Sequence, residues 1–248
     1  MIRIIKKLKY YYEVEFNYVS YNIEKEIIYK YKITDKLEIS TNKWTEIIKE
    51  NEYYYFDRIA KNKLKKQITT HELKTYLKDN NASDLLINEL VLKYTKYNFL
   101  NDKMYIKNYL EFRTKNDGKK VVLRKLINKG LDKDLINEFL ENIKEDEAIE
   151  KFVKSNIIKN KKLNKKQLKQ KITTSLINKG YSNDLIFSIV EKEFRDVIID
   201  ERDLLIKEYE KLLKKYQNKK EGYELKQFIK NKLYQKGFNN NIINEIIS

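Results

Sequence analysis

The sequence predicts a mainly α fold: tandem three-helix repeats forming an elongated, curved array, with a small N-terminal β-hairpin or sheet element. Three observations carry that reading. Among 248 residues there is no proline and there are five glycines, so most of the punctuation that a sandwich or doubly wound sheet needs is missing. Period-two alternation is confined to the N-terminal part of the chain. A glycine-hinged segment then recurs at a spacing of about fifty residues.

The N-terminal element comes first. Tyr10 to Tyr31 is crowded with Tyr, Val, Ile and Phe; Glu13-Val14-Glu15-Phe16 alternates, and Ile27-Ile28-Tyr29-Lys30-Tyr31 opens a second such run. Two or three short strands are expected. Around Trp44, Ile47 and Ile48 the spacing turns helical. So small a sheet is not stable alone and is expected to pack on a first helix from about Tyr53 to Lys66. Residues 1–50 are therefore assigned to a β-rich element with a structural role.

Four later segments align without gaps: Leu77 to Leu86, Ile127 to Ile136, Ile177 to Ile186 and Tyr234 to Ile243. They place Asn80, Gly130, Gly180 and Gly237 at one position, where a helix is expected to end on a left-handed residue. Two residues on, Asp132, Ser182 and Asn239 are favoured N-caps for a following helix. Leu131, Tyr181 and Phe238 are placed to staple onto Ile136, Ile186 and Ile243. The first copy departs, with Asn81 in place of the staple and Ala82 at the cap, so its turn is either looser or shifted by one onto Ser83. Ahead of these turns lie apolar stripes such as Ala148, Ile149, Phe152, Val153 and Ile157, or Leu204, Leu205, Tyr209, Leu212, Leu213 and Tyr216. The division that follows is repeat one at 51–98, repeat two at 99–143, repeat three at 144–194 and repeat four at 195–248. One such unit cannot bury all its apolar faces, so neighbours are expected to stack.

Charge points to the partners. Lys and Arg number 53 against 37 Asp and Glu, a formal +16 that attracts phosphate polyanions and acidic surfaces. AT-rich coding raises Lys along with Asn and Ile, yet it favours Glu as well and does not account for the excess. No acidic residue occurs from Lys151 to Asn183, where Lys159, Lys161, Lys162, Lys165, Lys166, Lys169 and Lys171 cluster. The corresponding part of repeat two offers Arg113, Lys115, Lys119, Lys120, Arg124 and Lys125. These are the candidate partner and DNA contacts, against a plainly solvated face as the alternative. Lys outnumbering Arg suits sequence-independent phosphate contact better than base reading. Tyr105, Tyr109, Tyr181 and Tyr209 fall on apolar helix positions, which favours core packing over base stacking.

Composition also excludes chemistry. Without Cys, disulfides, thiolate metal sites and cysteine nucleophiles are ruled out, and the single histidine, His71, supports neither a triad nor a usual transition-metal site. His71 is expected at the surface. Asp146-Glu147 and Asp200-Glu201-x-Asp203 are better placed to complement helix N-termini than to hold Mg²⁺ for a nuclease. No phosphate loop is present. An enzyme is not expected, and neither is a cofactor or metal. No apolar run is long enough for a membrane span, and charges interrupt the N-terminal Met1 to Tyr10, unlike a secretory signal, so a soluble cytoplasmic protein with no membrane partner is expected.

Three motifs together resemble the RecX family. They are the Ser/Thr-x-x-Glu-Leu helix start at Thr69-Thr70-His71-Glu72-Leu73, the Asp-x-x-Tyr start at Asp102-Lys103-Met104-Tyr105, and the Lys-Gly-hydrophobic turn at Lys129-Gly130-Leu131 before Leu135-Ile136. The resemblance covers roughly Tyr53 to Ser248; Asn80 stands where a Gly is usual, and Ile106 where Ala is frequent. It implies a regulator of RecA, the recombinase that polymerises on single-stranded DNA, lying in the filament's helical groove or at its ends. Such a protein limits ATP hydrolysis and strand exchange in recombination, DNA repair and the SOS response. The implied partners are the RecA filament and single-stranded DNA, with double-stranded DNA a further candidate, and the protein is expected to be a monomer. A helical-repeat DNA or RNA binder with no RecA partner is the alternative.

Overall fold

The computed structural model describes residues 1–113, 116–160 and 162–247, and of Arg113 the backbone. The chain opens with three antiparallel strands, β1 (Ile2–Lys7), β2 (Tyr11–Phe16) and β3 (Val19–Glu24), in the order β1-β2-β3. Asn17 and Tyr18 join β2 to β3 with φ of 51° and 63°, the two-residue turn whose twist matches a hairpin. Val14, Phe16, Ile23 and Ile2 form the buried face, and the Trp44 ring stacks on Phe16 at 4.8 Å.

The second strand run expected at Ile27 to Tyr31 is instead helical, within α1 (Lys25–Lys30) and its C-cap Tyr31. Ile27 and Ile28 are both buried and Tyr31 packs against the same cluster, a spacing that only a helix can turn to one side. The sheet gains its outer strand from β1, whose alternation is hidden by a register irregularity between Ile4 and Lys6. The helix expected at Tyr53 to Lys66 begins earlier, as α2 (Thr41–Lys63). Ser40 caps it by accepting the Lys43 amide, and one helix carries both Trp44 and Ile47 against the sheet and Phe56 and Ala60 against the next core.

Among the described residues eleven helices follow: α3 (Thr70–Asp79), α4 (Asp84–Lys96), α5 (Asp102–Arg113), α6 (Lys119–Ile127), α7 (Lys133–Glu141), α8 (Asp146–Lys159), α9 (Lys165–Asn178), α10 (Asn183–Phe194), α11 (Arg202–Tyr216), α12 (Gly222–Gln235) and α13 (Asn240–Ile246). The fold is mainly α with a small N-terminal sheet. Two compact units are present, Met1–Lys107 with Ile127–Asp132, and Asn108–Leu126 with Lys133–Ser248.

In the first unit α2, α3 and α4 share a core built on Phe56, Leu73, Leu77, Leu90 and Tyr94. Asp57 is buried beside it. Lys61 and Lys93 ion-pair with Asp57 at 2.8 and 2.6 Å, and the Tyr94 hydroxyl donates to it at 2.7 Å. Burial alone would raise the Asp57 carboxyl, but these three hydrogen bonds outweigh it and hold the group below its ordinary value. The same burial, and then the bond to Asp57, push the Tyr94 hydroxyl well upward.

In the second unit, α8 to α10 enclose Ile149, Val153, Leu168, Ile172, Leu176, Ile186 and Val190, and α11 to α13 enclose Leu205, Leu212, Ile229, Leu233 and Ile243. Gly130, Gly180 and Gly237 have φ of 75°, 81° and 88°. In the first copy the left-handed residue is Asn81, with φ of 66°, and not Asn80, whose φ is −94°. Backbone bonding explains the shift. The Ala82 amide donates to the Leu77 carbonyl as Tyr181 donates to Leu176 and Phe238 to Leu233, so Asn81 takes the glycine's place and Ser83 caps α4. In that register Leu73, Leu77 and Ile87 match Ile172, Leu176 and Ile186.

The three glycine turns share one further feature, a joint to the N-terminus of an earlier middle helix. Thr69 forms a capping box with Glu72 and donates its hydroxyl to the Lys129 carbonyl at 2.7 Å. The Gly118 amide donates to the Lys179 carbonyl at 2.7 Å, and the Asn164 side chain, in a capping box with Gln167, donates to the Lys236 carbonyl at 3.0 Å. Carboxylates complete the joints. Asp102 accepts the Thr70 amide at 2.9 Å; buried Glu145 accepts the Lys119 and Ser182 amides at 2.7 and 3.0 Å; buried Glu201 accepts the Lys165 amide at 2.6 Å. Helix ends that would be left with unpaired amides and carbonyls thus satisfy one another.

This closeness sets the demand for glycine. A Cβ on Gly118 would lie 2.3–2.5 Å from Tyr181 N and the Gly180 carbonyl, and one on Gly180 would lie 2.6 Å from the Val121 amide nitrogen. Around Gly222 nothing lies within 4 Å, although its φ is 55°. Gly118→Ala and Gly180→Ala are each expected to cost roughly 2–4 kcal/mol, and Gly222→Ala about 1 kcal/mol, in denaturant unfolding. Equal losses at all three would sink the close-approach account. For Asp57, a folded pKa below the unfolded value near ~3.9 means a contribution complete above that value and lost as pH falls through the folded pKa. Asp57→Asn should lower stability at neutral pH by about 3 kcal/mol and flatten the acid limb of a stability–pH curve.

Candidate nucleic-acid interface

The joints fix where the basic residues stand. Lys119 and Lys120 are the first two residues of α6, and Lys165 and Lys166 the first two of α9, so one Lys-Lys pair recurs at equivalent positions. A helix N-terminus carries partial positive charge, which makes these among the least favourable positions for lysine. Glu145 and Glu201 accept the first amide of each helix and so relieve part of that field.

Within the larger cluster, Lys159 ends α8, Lys162 lies on the connector, and Lys165, Lys166, Lys169 and Lys171 lie on α9. Lys161 falls outside the described residues. Lys165 donates its ammonium to the Val197 carbonyl at 2.8 Å, and Lys169 ion-pairs with Glu191. The Lys166 stem lies against Gly237, 2.6–3.0 Å from where a Cβ would sit. Among the described residues no carboxylate pairs with Lys159, Lys162, Lys166 or Lys171. Beside the α9 lysines runs a groove lined by Val197, Ile198, Ile199 and Ile242.

In the other set Lys120 and Arg124 are exposed, Lys119 is half-buried, and Lys125 bonds Asp117 at 2.5 Å. The Arg113 side chain and Lys115 lie outside the described residues. Tyr105 and Tyr181 are buried, Tyr209 packs on the α11–α13 core and Tyr109 is half-buried, in keeping with packing rather than stacking. His71 is exposed and its ring abuts Gly130. Asp200 accepts the Arg202 amide at 3.1 Å, while Asp146 and Asp203 lie in first helical turns. No group of three metal-ligating side chains occurs among the described residues, and no described helix is long and apolar enough to cross a membrane.

Sequence reasoning passed over Glu145 and the capping role of Asp102. The only signal was a carboxylate immediately at a helix start, at residues 102, 145 and 201, three or four residues before a buried Tyr105, Ile149 or Leu205.

Known proteins place this architecture. The third three-helix domain of RecX matches residues 200–247. Regulatory protein RecX of Clostridium perfringens (strain SM101 / Type A) is 30% identical over 196 residues, which cover 77% of this chain and 91% of that protein. The chain belongs to the RecX family. Regulatory protein RecX of Streptococcus uberis is 28% identical over 253 residues, covering 100% of this chain and 98% of its own. A crystal structure of regulatory protein RecX shares the fold with a TM-score of 0.56 at 15% identity, over 76% of this chain and 96% of that one. RecX from Lactobacillus salivarius does so at 0.53 and 22%, over 60% and 99%. The three stretches that resemble the RecX pattern turn out to be parts of one joint. Thr69 and Glu72 hold Lys129, through its carbonyl and through a 2.7 Å ion pair, while Asp102 caps Thr70 and the Tyr105 ring lies 5.7 Å from the Lys129 ammonium.

If the unpaired lysines neutralise phosphates, replacing Lys159, Lys162, Lys166 and Lys171 with Ala should lower the log–log salt slope of single-strand binding by about 0.7 for each phosphate left without its lysine. Lys125→Ala and Lys169→Ala, whose charges are already paired, should change it little. An unaltered slope in the fourfold variant removes the patch from consideration.

Proposed function

We propose that this chain is a RecX-type negative regulator that binds the RecA–single-stranded DNA filament, in its helical groove or at its ends, and limits ATP hydrolysis and strand exchange. The observation that carries this reading is the Lys-Lys pair at the first two positions of both α6 and α9. Charge is repeated there against the local helix field, and family membership gives the repetition its context. The units at 51–98, 99–143, 144–194 and 195–248 then serve as successive binding modules, a repetition that a polymer of identical subunits can match.

The mechanism needs no catalytic group or cofactor. A ligand that binds one filament state, or its ends, more tightly than the alternatives shifts assembly by that difference in affinity. The protein acts as a monomer in the cytoplasm, with RecA and single-stranded DNA as partners and duplex DNA as a further candidate.

A mobility-shift series with single-stranded DNA, run with and without RecA and a slowly hydrolysed nucleotide, tests the proposal. Preference for the filament over bare DNA, with reduced RecA ATP hydrolysis, is the expected result. Equal binding to bare DNA with RecA activity untouched would instead support a sequence-independent DNA or RNA binder.

A further inference from the structure

A second site lies away from the lysine cluster, within the N-terminal unit. Tyr10, in the turn between β1 and β2, and Glu26 of α1 face Tyr54, Asp57, Arg58, Lys61 and Lys65, the last just beyond the end of α2, across a half-enclosed cleft of about 270 Å³. Its walls are preorganised. Glu24, itself buried, holds Arg58 by two hydrogen bonds of 2.7 and 2.8 Å, which fixes the guanidinium plane. The Tyr10 ring lies 5.3 Å from that guanidinium and 5.0 Å from the Lys9 ammonium, yet Tyr10 remains 48% exposed. An aromatic ring is thus positioned by cations while a large part of it stays open.

The charge balance favours an anion. Asp57 is already engaged by Lys61, Lys93 and Tyr94. Counting the groups that touch the wall, Lys9, Arg58, Lys61, Lys65 and Lys93 stand against Glu24, Glu26 and Asp57. Lys61 is committed to Asp57, while Lys65, exposed just beyond the end of α2, lines the cleft with no carboxylate bonded to it among the described residues. A half-exposed aromatic ring beside cationic side chains is the arrangement that holds a base and its phosphate.

We propose that this cleft binds one nucleotide of a single-stranded nucleic acid, its base against the half-exposed Tyr10 ring and its phosphate on Lys65. The site is independent of the lysines on α6 and α9, so RecA is absent from every arm of its test. The full chain is irradiated with oligothymidylate carrying 5-iodouracil, and crosslinked peptides are mapped. Affinities for oligothymidylate, oligouridylate and inorganic polyphosphate are measured for the wild type and for Tyr10→Ala, Tyr10→Phe and Lys65→Ala.

Crosslinks at Tyr10 or Tyr54 are expected. Tyr10→Ala should weaken binding of at least one oligonucleotide about tenfold or more, and Tyr10→Phe should retain it. Polyphosphate, which cannot stack, should respond to Lys65→Ala and not to Tyr10→Ala. Whichever oligonucleotide binds more tightly through Tyr10 identifies the polymer. Crosslinks confined to other peptides, unchanged affinity in Tyr10→Ala, an equal loss for polyphosphate, or no oligonucleotide binding by the wild type would each overturn the assignment. Tyr10 is half-exposed in a turn, and the Phe variant together with the crosslink map keeps the test decisive if the Ala variant folds poorly.

Discussion

Reciprocal satisfaction of helix ends is the constraint on which the rest of this structure depends. A short helix leaves four amides and four carbonyls without partners, and a chain cut into helices of 7 to 15 residues beyond α4 has many such ends to accommodate. Here the start of one middle helix and the finish of a later one close on each other through Thr69 and Lys129, Gly118 and Lys179, and Asn164 and Lys236. Each bond is modest, about 1 kcal/mol net, but leaving its partners buried and unpaired would cost roughly 1–3 kcal/mol apiece. Packing of the apolar stripes and pairing of the ends are therefore satisfied by one geometry.

The joints differ in how they meet that constraint. At Gly118 the backbone amide makes the bond and the side chain is absent, because two turns approach too closely for a Cβ. At Thr69 and Asn164 there is room, and a hydroxyl or amide reaches across while also capping its own helix. Glu145 uses both carboxylate oxygens, whereas one oxygen of Glu201 is buried without a partner among the described residues. The α9–α12 joint is thus less completely bonded than the α6–α9 joint.

Periodicity made the helices and their turns legible, since apolar spacing and a left-handed terminal residue are local properties. The failures were of two kinds. Where a pattern was short, neighbouring alternatives competed: Ile27 to Tyr31 carries β-rich residues, yet its adjacent buried pair belongs to a helix, and Asn80 and Asn81 are equally good turn formers until the Ala82 amide finds Leu77. Where the partner was distant, no local signal existed: the carboxylates of Asp102, Glu145 and Glu201 meet amides 26 to 37 residues away. The candidate lysines were visible as charge, but not the sorting of Lys125 and Lys169 into ion pairs while Lys166 lies along a turn. The Tyr10 cleft was invisible for the same reason, since it joins a strand turn to a helix far along the chain.

In the α6–α9 joint a backbone amide meets a backbone carbonyl, with glycine at 118 and 180 to let the two turns approach, so main-chain geometry rather than side-chain chemistry sets the connection. A lineage of this fold can therefore exchange much of the surrounding side-chain chemistry, provided those two glycines stay in place.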